Sequence, residues 1–200
     1  MNTRSESSLK RVVLTGGPGG GKTALLNRLC HDPELSRITV ATEEAIYGMR
    51  FVRLNPQSRE FQCALVAIQA ATEAVLLRTF QDSTKRILIS HRGTLDPCAF
   101  WQSFRNSRES FFEMTGTALE NHYRRYDLVI HLESAAVRMP EAYVRYPQAH
   151  RPEDLQQAAR LDQLLAELWS AHPRYVKIEG TRNLEDKLHA GMELIRRELS

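Results

Sequence analysis

Five short apolar runs alternate along the chain with longer stretches of helical period: Arg11–Thr15, Ile38–Ala41, Arg86–Ser90, Leu128–Leu132 and Tyr175–Ile178. Each is rich in β-branched or aliphatic residues and too short to be a helix, so each reads as a strand. Strands separated by helices predict an α/β fold with a parallel five-stranded sheet and crossover helices. The clearest helix follows Arg59, where Phe61, Leu65, Ile68, Thr72, Val75 and Phe80 approximate one stripe. A second starts at Pro152, with Glu153 and Asp154 at its positive end and Leu155, Ala158, Leu161, Leu165 and Leu168 on one face; His172-Pro173 ends it. Shorter helices are expected over about Glu109–Arg124 and Leu184–Glu198.

The first strand runs directly into Gly16-Gly17-Pro18-Gly19-Gly20-Gly21-Lys22-Thr23-Ala24, which fits the G-x-x-x-x-G-K-S/T pattern of a phosphate-binding loop, with a helix pattern following. The chemistry explains the spelling. Glycines let the backbone curl with its N–H groups turned inward, and the next helix adds the positive end of its dipole. Lys22 is the residue expected to reach the β- and γ-phosphates. Thr23 is the expected metal ligand, offering its hydroxyl to Mg²⁺. The expected ligand is MgATP or its GTP equivalent.

Composition narrows the class. A length of 200 residues with 42% hydrophobic and 26% charged residues suits one globular domain, here 10–200 after a flexible tail over 1–9. Cys30, Cys63 and Cys98 are widely spaced and form no C-x-x-C pair, so neither a disulfide framework nor a zinc site is expected. With no signal-peptide pattern and no apolar run approaching the roughly 20 residues of a bilayer span, a cytoplasmic protein is expected. The net charge of +3 is modest, and Arg50, Arg53 and Arg59 make only a sparse basic stretch, so nucleic acid is not expected as a partner. The oligomeric state is not specified.

Three further positions carry candidate chemistry. Glu43 follows the second strand, where a carboxylate can face the phosphates, accept a substrate proton or hold a water of the Mg²⁺ shell; a glutamate at a helix start reads equally well there. The third strand leads into Ser90-His91-Arg92-Gly93-Thr94-Leu95-Asp96, in which Arg92 suits an anionic group. The segment near 138–160 is rich in arginine.

The ordered set of the phosphate loop, Glu43, Arg92-Gly93-x-Leu95-Asp96, Arg151-x-Glu153 and Trp169-x-x-His172-Pro173 resembles the NadR-like AAA-type P-loop ATPase and kinase family, which includes nicotinamide riboside kinase domains. The resemblance spans nearly the whole chain from Lys10. It implies a kinase-like P-loop NTPase fold of three layers with a helical lid near 138–160. It also implies transfer of a γ-phosphoryl group to a small-molecule hydroxyl, with Lys22, Glu43, Arg92 and the lid residue Arg151 as catalytic residues. Arg145 and Arg160 are weaker candidates, and Trp169 and His172 read as packing. The chain departs from the family where His91 replaces an aspartate that orients Mg²⁺. That departure opens the alternative of a nucleotide-sensing module or a slow NTPase with a degenerate metal site at His91.

Overall fold

The computed structural model describes residues 9–49, 52, 54–145, 153–181 and 183–198. In chain order the elements are β1 (Lys10–Thr15), α1 (Lys22–His31), α2 (Leu35–Ile38), β2 (Thr39–Thr42), α3 (Ala45–Gly48), α4 (Arg59–Phe80), β3 (Ile87–His91), α5 (Asp96–Ser103), α6 (Arg108–Thr115), α7 (Leu119–Tyr123), β4 (Leu128–Leu132), α8 (Ala135–Arg138), α9 (Pro140–Arg145), α10 (Leu155–Trp169), β5 (Tyr175–Ile178) and α11 (Leu184–Arg197).

All strand pairs are parallel and the order is β2-β3-β1-β4-β5. The central strands β3 and β4 are buried along their whole length, as continuous apolar runs are when helices cover both faces of a sheet. Alternation along β1 sends Val12 and Leu14 to a core with Leu25, Leu29, Leu188, Met192 and Ile195 of α1 and α11. Val13 points the other way, into a core with Leu95, Phe111, Leu165, Leu168 and Trp169. These two cores make three layers. The connection after β1 runs toward one edge, to β2, and the connection after β3 crosses β1 to β4 on the other side, so the C-terminal ends of β1 and β3 form the switch point where α/β sheets take their ligands.

Several elements differ from the sequence reading. The helix expected from Pro152 starts at Leu155, because Asp154 is extended and caps it, its side chain accepting from Gln157 N–H at 2.8 Å. The stretch expected as one helix over Glu109–Arg124 is two, because Gly116 adopts φ 63° and closes α6, with Thr117 N–H donating to Phe112 O and Gly116 N–H to Glu113 O. The second strand starts at Thr39 because Ile38 ends α2. The third runs one residue further than expected and includes His91.

The expected absence of a membrane-length apolar segment also needs correction, since α4 is long and apolar enough to cross a bilayer by length and composition. It caps itself with Ser58, whose Oγ accepts from Phe61 N–H at 3.2 Å. Glu73, buried on α4, accepts from Tyr126, Ser90 and Gln69 and pairs with Arg125 at 2.7 Å, which ties the helix to the sheet layer.

Candidate phosphate-binding site

Backbone geometry builds the loop between β1 and α1. Gly16 has φ 118°, and a Cβ there would lie 2.2 Å from the Leu132 carbonyl oxygen; a Cβ on Gly20 would lie 2.3 Å from the same atom. Only glycine allows the loop to rest this closely on the end of β4. Around that contact the loop is pinned at several points. Asp162 Oδ1 accepts from Gly17 N–H at 2.7 Å and from Ser134 N–H at 2.8 Å, Ser134 Oγ donates to Pro18 O, and Ala135 N–H reaches Gly19 O at 3.4 Å. Gly21 O accepts from Leu25 N–H at 2.9 Å, which begins α1, and Ala24 packs against the core beneath. The N–H groups of the first turn of α1 have no intrahelical acceptor and carry the positive end of the dipole.

Lys22 is buried, and its Nζ donates to Gly16 O at 2.7 Å and Gly17 O at 3.0 Å. Burial and then the neighbouring Arg92 lower its pKa to about 7. Arg92 Nη1 approaches the same Gly16 carbonyl at 3.4 Å, so two basic side chains converge on the loop.

Arg92 is fixed from several sides. It has φ 70°, a left-handed conformation unusual for a residue with a side chain, immediately after β3. Its Nε donates to Glu44 Oε1 at 3.2 Å, its Nη1 lies 3.5 Å from Asp96 Oδ2, and the guanidinium sits 5.1 Å from the Phe100 ring centroid. Burial opposes the charge, but Glu44, Asp96 and Glu153 raise the Arg92 pKa above its ordinary value. Asp96 is fully buried and also accepts from Thr15 Oγ1 at 2.9 Å and Trp169 Nε1 at 2.9 Å. Trp169 is thus buried packing with one anchoring hydrogen bond, and His172 holds Tyr126 O at 3.0 Å.

His91 lies between the loop and β2. Its Nε2 is 3.1 Å from Thr23 Oγ1, and its Nδ1 is 3.0 Å from Glu44 Oε1, with the carboxylate off the ring's N–H direction. Burial lowers the imidazole pKa despite Glu44, favouring the neutral ring. Burial would raise the Glu44 carboxyl, but Arg92 and then His91 hold it well below the usual range.

The structure therefore brings Lys22, Thr23, Arg92 and the loop glycines together. It places Glu43 on the surface at the end of β2, and the carboxylate reaching Arg92 and His91 is its neighbour Glu44. Arg151 lies outside the described residues, as do Pro152, Arg50, Arg53, residues 1–8 and 146–152 of the expected lid. Arg160 is exposed on α10. Asp162 was not singled out from the sequence; its signal is a carboxylate set among the buried leucines of α10. Clefts of about 360 and 510 Å³ lie along α11, lined by other residues, so the site is defined by its backbone and charges rather than by these cavities.

The sequence model of the AAA domain family matches residues 11–187, from the first strand through the loop to the final helix. The chain belongs to the AAA domain family. Membership accords with the parallel α/β sheet and indicates nucleotide binding through the P-loop. Among curated proteins no sequence matches this AAA domain chain.

Proposed function

We propose that the protein binds MgATP, or MgGTP, and transfers the γ-phosphoryl group to a hydroxyl of a small molecule. The observation that supports this best is the convergence of Lys22 and Arg92 on Gly16 O beside a glycine loop that opens α1. In this reading Gly16, Gly17, Pro18, Gly19, Gly20 and Gly21 form the cradle, and Lys22 exchanges its two carbonyl acceptors for β- and γ-phosphate oxygens. Arg92 and the lid residue Arg151 stabilise charge on the moving group. The bond from Pγ to the β-bridging oxygen breaks as a bond to the acceptor oxygen forms, and the acceptor's proton passes to a carboxylate. Glu44 is committed to Arg92 and His91, whereas Glu43 makes no ion pair or hydrogen bond among the described residues and is the proton acceptor proposed here.

Mg²⁺, when bound, offsets charge on the β- and γ-phosphates. Thr23 would hold it. The hydroxyl lies in the first turn of α1, 3.1 Å from His91 Nε2, and a neutral ring that accepts the Thr23 proton there would leave the hydroxyl oxygen available to a cation. We place this activity in the cytoplasm, where the free thiols Cys30, Cys63 and Cys98 stay reduced.

A second reading is a nucleotide sensor that hydrolyses slowly, and the imidazole at the end of β3 favours it. ADP release measured across a panel of small hydroxyl compounds separates the two. Release stimulated by one compound, with phosphate recovered on it, supports the kinase; slow release that no compound stimulates supports the sensor.

A further inference from the structure

The burial of α4 is inverted relative to an ordinary surface helix. Its buried positions are Phe61, Gln62, Val66, Gln69 and Glu73, so the stripe facing the sheet is largely polar. At about 100° per residue the opposite face carries Glu60, Ala64, Ala67, Ala71, Ala74 and Arg78, flanked by Val75, which is 51% exposed. Ala67, Ala71 and Ala74 are exposed, and the only charges on this line stand at its two ends with opposite signs. Neither Glu60 nor Arg78 makes an ion pair among the described residues.

We propose that this face of α4 is the seam of a two-fold homodimer in which the α4 helices of two copies pack antiparallel. A two-fold axis at Gln69 places Glu60 of each copy opposite Arg78 of the other, about 27 Å along the helix. The same operation sets Ala64 against Ala74 and Ala67 against Ala71, so every seam position meets a small or oppositely charged partner. Small side chains let the helices approach closely, and the exposed Val75 closes one flank. A parallel pair would instead oppose like charges at both ends. A lipid bilayer is the other environment that α4 suits by length, but reaching it would pull Glu73 away from Arg125, Tyr126, Ser90 and Gln69, leaving a carboxylate in hydrocarbon.

Light scattering on the full chain tests the proposal, with a dimer expected at about 46 kDa against 22.9 kDa for one chain. Ala71→Glu, on the exposed face, is expected to give a folded monomer that still binds nucleotide. Glu60→Arg is expected to weaken the dimer by about tenfold or more, and adding Arg78→Glu to restore it. Disulfide trapping in a mixture of the single variants Ala67→Cys and Ala71→Cys reads the antiparallel register, with a covalent heterodimer expected from the mixture and much less cross-linking from either variant alone. A monomeric parent, a dimer indifferent to these substitutions, or a parent that sediments with neutral lipid vesicles instead of dimerising would each overturn the proposal.

Discussion

The hydroxyl of Thr23 and the imidazole of His91 meet at 3.1 Å, joining the P-loop's expected metal ligand to the end of β3. The ring stands where a carboxylate would bring negative charge, and nitrogen is a poor partner for a hard ion that prefers oxygen. His91→Asp is therefore expected to lower the Mg²⁺ concentration for half-maximal ADP formation by about threefold to tenfold. A Mg²⁺ titration with the parent's midpoint and rate would show that Glu44, acting through the imidazole, already supplies what the ion needs.

Lys22→Ala is expected to weaken triphosphate binding on the order of 10- to 100-fold, the range for losing a charge-assisted hydrogen bond. Its Nζ contacts only loop carbonyls in the described hydrogen bonds, so the thermal unfolding temperature should change little. Calorimetric titration with MgATP reads the effect. Unchanged affinity would remove the P-loop assignment.

Trypsin sites between Arg138 and Arg160 are expected to become protected by saturating MgATP, because a lid is ordered by the phosphates it covers. Arg138 is half-exposed and tied to Glu133 at 2.7 Å, which makes it the reference site for slow cleavage. Digestion at equal rates with and without nucleotide would show that this segment is no lid.

His122 is buried between Thr94 Oγ1 at 2.9 Å and Thr117 Oγ1 at 3.0 Å, and burial, then Arg125, lowers its pKa from 6.5 to about 4. The unfolded chain thus binds the extra proton first as pH falls. Stability from this residue is complete above pH 6.5 and is lost progressively down to about pH 4, on the order of 3 kcal/mol at most. Urea unfolding of the parent and of His122→Gln at pH 7 and 4.5 should show a smaller pH-dependent loss in the variant. Equal losses would mean that another group governs acid sensitivity.

The strands and the P-loop were legible in the sequence because both rest on local pattern: continuous apolar runs for a sheet covered on both faces, and glycine spacing for the loop. Side-chain direction was less legible. Glu43 and Glu44 are adjacent carboxylates, and a second strand that begins at Thr39 leaves Glu44 beside Arg92. Gly116, which splits the expected helix, was visible as a glycine but gained meaning only from its positive φ. Asp96 and Asp162 act through partners 81 and 145 residues away, in Thr15 and Gly17, and no period or spacing announces contacts at that range.

Asp162 also limits what can move. One carboxylate oxygen grips Gly17 and Ser134 and lies 3.2 Å from His131 Nε2, so the loop, the tip of β4 and the middle of α10 behave as a single casting. A displacement of α10 would therefore be felt at Gly17 and at the tip of β4. The shape of the cradle is thereby set partly by a carboxylate from a helix that lies outside the glycine motif and far from it along the chain.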